Sequence, residues 1–490
     1  MQEIRRAKGW HYILVLAVFL SLLAPILGSF REGLWGPADP FANGDFNGGW
    51  WLWWAASEFW RGTDWTHAVA YPDGAVSLAR VIPNPTDMFL LGLSGGPSVF
   101  KWNLVQLLHL MATLVAGVHL ARTAGASRLA SVAGVCLVAG SPVMLHEVAG
   151  GRPSNLIVWP ALLSLSFLLK GRARWSGFWA AVQTLLYLWH GAVLFLVGLV
   201  LARDRKVALR AVGVGALCVL PYLIWLLVGN EGLPTQAPPA GYTALPLSGV
   251  WGINAVPERF QIHPLLVPVA FLALKHHRRW LLAGLVGLIV AVGPWPTWAL
   301  GDSLGAGPMA WLEWLLPPFE RMHHPVRATL IALPLLGVCV ALGLDSFSKG
   351  QWVAGSLVLL VVWNPSEIRR ATTYNASAEI PFSEVSIPGD GAVIDLLGMD
   401  HRTALSAQTV HRRPIAEPLL FRREGDPQGT SLQALIDGQP MASNIWSHLK
   451  ASGFDYLLVW DRLGRYPALE ERVQQALGMP VARGVYQLPD

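Results

Sequence analysis

Residues 40–54 read PFANGDFNGGWWLWW and hold one carboxylate, that of Asp45, in a glycine-rich segment directly ahead of a run of tryptophans. The stretch belongs to a long segment between two apolar runs, residues 30–97. Glycine permits tight backbone turns, and tryptophan is enriched where a membrane meets water. We therefore expect a membrane protein whose first outer loop places an acidic residue on a turn at the lipid interface, with tryptophans as surface anchors.

The composition is that of a multi-spanning membrane protein. Of the 490 residues, 53% are hydrophobic and 14% are charged, with a mean hydropathy of +0.42. Much of the Lys and Arg behind the net charge of +5 lies in short connections between apolar runs, where it indicates orientation. We therefore expect no nucleic-acid partner. The three cysteines all lie in apolar runs: Cys136, Cys218 and Cys339. This placement favours neither a disulfide framework nor a metal site.

The placement of basic residues predicts about 11 membrane spans and a cytoplasmic N-terminus. The segment 175–202 is too long for one simple span, so we divide it into two short passes that meet near His190-Gly191. The expected spans are residues 11–29, 98–121, 129–146, 155–169, two passes within 175–202, 208–228, 263–275, 280–298, 327–346 and 351–364.

After residue 364 the composition becomes that of a soluble domain. Residues 392–397, 456–460 and 484–488 have the pattern of short strands, and residues 467–477 have helical spacing. We predict a mainly α protein with two domains: residues 1–364, a polytopic transmembrane helical bundle that includes the large outer loop 30–97, and residues 365–490, a small extracytoplasmic α/β domain. The chain has no phosphate-binding G-x-x-x-x-G-K-[ST] loop, which argues against a nucleotide-driven transporter.

Several motifs resemble bacterial membrane proteins of the GT-C glycosyltransferase superfamily, closest to the branch related to dolichyl-phosphate-mannose–protein mannosyltransferases and to proteins described as YfhO-like. The likeness spans most of the chain. It is carried by Gly44-Asp45-Phe46, the tryptophans after it, Arg61-Gly62, Tyr71-Pro72-Asp73-Gly74, Asn103, Gly140-Ser141-Pro142, the segment 315–327 (LLPPFERMHHPVR), the helix end Gly343-Leu344-Asp345 and the segment 408–415 (QTVHRRPI).

The resemblance implies an acidic residue in the first outer loop, a sugar donor carried on a polyprenyl phosphate, and an active site at the outer membrane surface. Such a transfer needs a base for the acceptor's proton, and Asp45 is the candidate. An Asx turn or a helix cap is the alternative for Asp45. Weaker acidic candidates are Asp39, which has turn chemistry ahead of a proline, Glu58, which could face water on an interfacial helix, and Glu147.

The leaving phosphate needs cations, and the candidates are Arg152 and the outer cluster Arg321, His323, His324 and Arg327. The resembling proteins often have a Gly-His pair where this chain has Gly151-Arg152. Arg152 alternatively forms a weak solvated pair with Glu147. The outer cluster alternatively binds ordinary anionic lipid, or its histidines bind a metal. The metal is unknown: a divalent cation is left open, and no nucleotide is expected.

The roles of several other polar positions stay open: His190, Glu258, Arg259, His263 and His411-Arg412-Arg413. The last three residues either form a lid over the membrane site or are ordinary surface residues of the soluble domain.

Three hypotheses for the function follow. The first is a cell-membrane glycosyltransferase whose partners are a polyprenyl-phosphate sugar, membrane lipid and an extracytoplasmic glycan, lipid or protein acceptor. The second is a non-catalytic protein of the same fold that binds lipid-linked glycan or serves in envelope glycan assembly or export. The third, a transporter, lacks the paired broken helices of a midplane site.

Overall fold

The computed structural model describes part of the chain, and that part is mainly helical. The described residues are 10–27, 44–63, 85–149, 156–228, 244–252, 260–299, 303–315, 322, 324–347, 349–363, 386–396, 408, 410–415, 432, 434–439, 444–459 and 468–489.

The chain divides into two compact units. The first unit takes Met1–Gly36, Val99–Trp225 and Gln236–Ala376, and the second takes Pro37–Ser98, Leu226–Thr235 and Ser377–Asp490. Residues of the long segment after the first helix therefore belong to the same unit as the C-terminal region. The division into domains at residue 364 stays a prediction.

The first unit is a helical bundle. Its helices are α1 (Trp10–Leu27), α4 (Val99–Ala124), α5 (Arg128–Ala139), α6 (Pro142–Ala149), α7 (Trp159–Leu169), α8 (Ala173–Leu186), α9 (Leu188–Leu201), α10 (Arg205–Val228), α11 (Leu247–Val250), α12 (Leu266–Ala270), α13 (Leu274–Val292), α14 (Pro308–Leu315), α15 (Thr329–Asp345) and α16 (Gly350–Trp363). The last three residues of α10, from Leu226, are counted with the second unit. Short 3₁₀ turns at Phe271–Ala273 and Pro325–Ala328 join some of these helices.

Helices stand close to the predicted spans. Among the described residues, three segments are both long and apolar enough to cross a membrane: Val99–Ala124, Arg205–Ile224 and Pro325–Asp345. Shorter apolar helices lie at other predicted spans, including α5, α7, α9 and α16. These helices are those of a membrane protein, while the number of crossings and their orientation stay predictions.

Helix α15 forms the centre of the bundle. All its residues from Thr329 to Leu344 are buried, and it packs against α5 and α13. It crosses α5 at a contact between two glycines. A Cβ on Gly134 would collide with the carbonyl oxygen of Gly337, and a Cβ on Gly337 would lie 3.0 Å from the carbonyl oxygen of Gly134. Small residues are the ones that allow such close approach of helices in a membrane.

Two breaks in the helices lie next to polar residues already named from the sequence, Ser141 and His190. Gly140 and Ser141 end α5, and Pro142 starts α6; the backbone N–H of Val143 then donates to the carbonyl of Gln261. The other break is at Tyr187, whose backbone is extended (φ −157°, ψ 106°) between α8 and α9. The two short helices predicted within residues 175–202 are thus present, and they meet three residues before His190.

The second unit contains α2 (Gly44–Trp60), α3 (Pro85–Leu91), a 3₁₀ turn (Gly92–Ser94) and a small sheet. Strands β1 (Ala392–Asp395) and β2 (Phe454–Leu458) are parallel, and β2 and β3 (Val485–Gln487) are antiparallel, in the order β1-β2-β3. Helices α17 (Ile445–Ala451) and α18 (Leu469–Leu477) precede β2 and β3. Buried apolar side chains cover both faces of the sheet. The sequence places the strands and α18 within two residues of these positions.

The tryptophans of α2 are core residues of the second unit. Trp50, Trp51 and Trp53 are 3%, 0% and 1% exposed. The indole of Trp51 donates to Oε1 of Gln408 (2.7 Å), and that of Trp53 donates to the carbonyl of Gly95 (2.9 Å). The expectation that these three side chains anchor the protein at the membrane surface is therefore wrong, because a lipid anchor has to be exposed while these rings are packed inside protein.

Candidate functional site

Arg327 is the predicted phosphate ligand that the structure places most clearly. It lies in the 3₁₀ turn before α15, and its side chain is buried with 8% exposure. Nη1 of Arg327 donates to the hydroxyl of Tyr187 (2.9 Å), and the guanidinium carbon lies 5.7 Å from the centre of that ring. A buried cation in an apolar bundle is costly, so it is typical of a functional position. The contact with Tyr187 fixes the direction of the guanidinium.

His190 binds the backbone of the same residue. Its Nε2 lies 3.2 Å from the carbonyl oxygen of Arg327, and its ring is 4.5 Å from that of Tyr187. A carbonyl only accepts, so Nε2 carries the proton and donates. His190 is fully buried. The histidine and the tyrosine at the break between α8 and α9 thus hold both the main chain and the side chain of Arg327.

Gln183 completes this arrangement from one turn before the break. Its Oε1 accepts from the backbone N–H of Ala161 (3.2 Å), and its Nε2 donates to the carbonyl of Ile157 (2.8 Å) and faces Nδ1 of His190 at 3.5 Å. The N–H of Ala161 lies in the first turn of α7, where no intrahelical acceptor exists. One buried amide therefore caps α7 and orients His190. We call Gln183, Tyr187, His190 and Arg327 the Arg327 site.

Replacing Gln183 by leucine should destabilise the first unit strongly. The change leaves the N–H of Ala161, the carbonyl of Ile157 and Nδ1 of His190 without this partner, and each buried unpaired group costs about 1–3 kcal/mol. Gln183→Glu keeps the acceptor for Ala161 but turns a second carboxylate oxygen, in place of a donor, toward the carbonyl of Ile157, so we expect it to destabilise as well. Thermal unfolding of the detergent-solubilised full chain measures both. Equal unfolding temperatures for wild type and Gln183→Leu would show that the amide has no such role.

Glu147 is buried, with 6% exposure, near the end of α6. It lies close enough to His190 to interact with it electrostatically. The alternative prediction of a solvated Glu147 is therefore wrong, because the side chain is buried within the protein and lies on a helix instead of an exposed loop. His146, the residue before it, is half-buried.

The remaining phosphate candidates are less fully placed. His324 is exposed, and its carbonyl accepts from the backbone N–H of Arg327 (3.0 Å) at the start of the 3₁₀ turn. Arg152, Arg321 and His323 lie outside the described residues, as do Glu258 and Arg259. His263 is half-buried, and its backbone N–H lies 3.3 Å from Oγ of Ser141, an acceptor in the Gly140-Ser141-Pro142 motif.

The acidic candidates of the first long segment fall in the second unit. Asp45 is the second residue of α2, so its backbone lies at the start of a helix where the sequence predicts a turn. The side chain of Asp45 and all of Asp39 lie outside the described part of the chain. Glu58 accepts from Nη1 of Arg61 (2.9 Å) and from the hydroxyl of Thr63 (3.4 Å). Both of its oxygens thus bind residues that directly follow α2, which favours a structural role.

The segment 408–415 connects α2 to the sheet. Gln408 accepts from Trp51, as described above, and its amide donates to the carbonyl of Arg413 (3.1 Å). The carbonyl of Pro414 accepts from the N–H of Val393 in β1 (2.8 Å), and Arg413 also pairs with Asp390. Nδ1 of His411 accepts from the N–H of Arg413 (3.0 Å). These contacts are internal to the second unit.

Burial, and secondarily the charge of Arg413, lowers the pKa of His411 to about 4. As the pH falls, His411 therefore takes up a proton in the unfolded chain before it does so in the folded chain. The stability that the neutral, buried His411 contributes above about pH 6.5 should be lost as the pH falls from about 6.5 to about 4. We expect the full chain to unfold at a lower temperature at pH 4.5 than at pH 7, and His411→Asn to remove part of that difference. His448→Asn, at an exposed position of α17, is the control. Equal pH dependence in all three proteins would contradict the assignment.

Within the described residues, no group of three or more His, Cys, Asp or Glu side chains is arranged to hold a metal ion. Gln183 and Tyr187 are not among the site residues predicted from the sequence. Neither residue carries a charge, and their roles arise from tertiary contacts. Tyr187 contacts Arg327, 140 positions later, and Gln183 contacts Ile157 and Ala161, 26 and 22 positions earlier. The signal that pointed toward them was the excess length of segment 175–202.

The fold is similar to two solved structures. The first is the arabinofuranosyltransferase AftD from Mycobacteria, which matches 92% of this chain with a TM-score of 0.57 and 15% sequence identity. This chain spans only 35% of the length of AftD. The second is ArnT from Cupriavidus metallidurans, solved bound to undecaprenyl phosphate, which matches 93% of this chain with a TM-score of 0.52, 13% identity and 97% of its own length covered. No protein-family model and no curated protein sequence matches.

Proposed function

We propose that this chain, which has the GT-C fold, is an integral membrane glycosyltransferase that moves a sugar from a polyprenyl-phosphate donor to an extracytoplasmic glycan, lipid or protein. The observation that supports it is the buried side chain of Arg327 before the central helix: Tyr187 orients its guanidinium, and His190 holds its main-chain carbonyl. A planar guanidinium suits a phosphate, which it binds through two parallel hydrogen bonds. That ArnT was solved with a polyprenyl phosphate supports the donor class.

The proposed reaction is a direct displacement at the sugar. An acceptor oxygen attacks the anomeric carbon, the bond from that carbon to the phosphate oxygen breaks, and the phosphate leaves with the electron pair. Asp45 takes the acceptor's proton, and the anomeric centre inverts. Arg327, with Arg152, Arg321 and His324, stabilises the negative charge on the leaving phosphate, because fixed donors stabilise charge as it develops.

The orientation follows the positive-inside rule. The N-terminus lies in the cytoplasm, the chain crosses the cell membrane repeatedly, and the C-terminal region lies outside. No nucleotide takes part at the site, since the donor phosphate is already joined to the sugar and its lipid.

The test is sugar transfer by the purified full chain in lipid nanodiscs, given a panel of polyprenyl-phosphate sugars and an envelope extract. We expect transfer by the wild type and its loss in Asp45→Asn, with binding of polyprenyl phosphate retained. Asp45→Asn removes the base while keeping the size of the side chain.

A different result would change the proposal. If no donor supports transfer while wild type and Asp45→Asn bind polyprenyl phosphate equally well, the chain is a non-catalytic binder of lipid-linked glycan. Transfer that continues unchanged in Asp45→Asn would leave the enzyme but remove Asp45 as its base.

A further inference from the structure

An apolar groove of about 250 Å³ lies between α7, α8, α9 and α10 of the first unit. Along α10 its lining extends from Ala208 to Leu223, which corresponds to about 22 Å at the helical rise of about 1.5 Å per residue. One leaflet of a bilayer core is about 15 Å deep. The groove is therefore long enough to take one acyl chain of a membrane lipid.

The lining chemistry selects hydrocarbon. Small and apolar side chains form the walls, including Gly191, Leu194 and Gly198 of α9. The hydroxyl of Ser164 donates to the carbonyl of Ser176 (2.9 Å), and that of Thr184 donates to the carbonyl of Ala180 (2.8 Å). These lining hydroxyls are therefore satisfied within the protein, so a sugar would find few partners here.

Basic residues flank one end of the groove. Seven exposed cations, which we call the basic rim, surround the starts of α8 and α10: Lys170, Arg172, Arg174, Arg203, Arg205, Lys206 and Arg210. The one acid among them, Asp204, accepts from the backbone N–H of Lys206 (2.8 Å), and Lys170 contacts His119. Among the described residues no ion pair is found for the basic rim.

The two halves of the basic rim belong to neighbouring helix starts. A Cβ on Gly177, near the start of α8, would collide with the carbonyl of Ala211 near the start of α10. Ser176 and Ala208 line the groove at this end, within two residues of Arg174, Lys206 and Arg210.

We propose that the groove and the basic rim together bind an anionic glycerophospholipid, with one acyl chain in the groove and the phosphate on the rim. The rim lies on the side predicted to be cytoplasmic, where basic pockets between membrane helices bind anionic head groups. The positive-inside rule alone explains basic residues on that side, but it does not explain an apolar groove that ends between them. This site does not depend on the proposed transferase reaction.

The groove can be filled without disturbing the protein. A Cβ on Gly198 meets no atom within 4 Å, so Gly198→Phe should project into the groove. Gly213 of α10 is equally open and lies outside the lining, which makes Gly213→Phe the matched control. The full chain in mild detergent is titrated with phosphatidylglycerol and, separately, phosphatidylcholine, and bound lipid is counted by native mass spectrometry. We expect one tight phosphatidylglycerol, weakened about tenfold or more in Gly198→Phe and less than twofold in Gly213→Phe.

The charge is tested by a second variant that leaves the groove intact. Arg205→Gln, Lys206→Gln and Arg210→Gln together should weaken phosphatidylglycerol binding about tenfold or more, since each basic residue near a membrane surface contributes to attraction of anionic lipid. The control makes the same change in charge at another exposed basic cluster: Lys275→Gln, Arg278→Gln and Arg279→Gln.

Three results would overturn the proposal. One is phosphatidylcholine binding as tightly as phosphatidylglycerol, which removes the role of the rim. Another is an equal loss in the control variants, which makes the effect general. The third is that equimolar polyprenyl phosphate displaces phosphatidylglycerol from the wild type but not from Gly198→Phe. The groove would then be the binding site for the polyprenyl chain.

Discussion

Arg327→Gln should weaken binding of polyprenyl phosphate about 100-fold. The guanidinium is buried and oriented by Tyr187, and loss of one member of a buried, hydrogen-bonded charge pair costs about 2–5 kcal/mol, with about 1.4 kcal/mol for each tenfold in affinity. Arg327→Lys keeps the charge but loses the planar fork, so we expect an intermediate loss of about tenfold. The measurement is a titration of the detergent-solubilised full chain with polyprenyl phosphate, followed by native mass spectrometry.

Two controls separate binding from folding. Arg279→Gln changes an exposed cation of α13 and should leave the affinity within about twofold, since it lies away from the contacts that define the Arg327 site. Tyr187→Phe removes the hydroxyl that accepts from Nη1 of Arg327 and should have a smaller effect than loss of the arginine. Unchanged affinity in Arg327→Gln, with an unfolding temperature equal to that of wild type, would exclude Arg327 as the phosphate ligand.

Gly134→Leu should prevent the first unit from folding. A Cβ at this position already collides with the carbonyl of Gly337, so a larger side chain must push α5 away from the central helix α15. Overpacking of a tight core costs about 1–3 kcal/mol and sometimes more, and here a backbone atom, which cannot rotate away, opposes the new group. Gly134→Ala should fold with a lower unfolding temperature.

The matched control for Gly134 is Gly213→Leu on α10, where a Cβ meets no atom within 4 Å. Size-exclusion chromatography of detergent extracts, with intrinsic tryptophan fluorescence as the readout, measures how much folded protein each variant gives. A monodisperse Gly134→Leu protein in wild-type yield would show that α5 and α15 do not cross at these glycines.

The helices of the first unit could largely be predicted from sequence, because apolar length and basic flanks are local properties. The third predicted span, residues 129–146, corresponds to two helices, since Gly140, Ser141 and Pro142 interrupt it. The strands and α18 of the second unit were predicted for the same local reason. The GT-C resemblance is confirmed at the level of the fold.

The candidate site could be predicted only in part. Arg327 can be selected from sequence because it belongs to a cluster of basic residues on the predicted outer side, against the positive-inside bias. Its partners come from the break between α8 and α9, which only tertiary structure brings near. The tryptophans of α2 show the opposite error. An aromatic run has the same composition whether it meets lipid or a protein core, and the burial of Trp51 against Gln408 decides between the two.

The most direct test of the central claim is a structure of the full chain with polyprenyl phosphate bound. The predicted result is a phosphate oxygen within hydrogen-bond distance, about 2.7–3.2 Å, of the Arg327 guanidinium, with Tyr187 and His190 still in contact with Arg327. A phosphate bound elsewhere, with no protein ligand from the Arg327 site, would contradict the account.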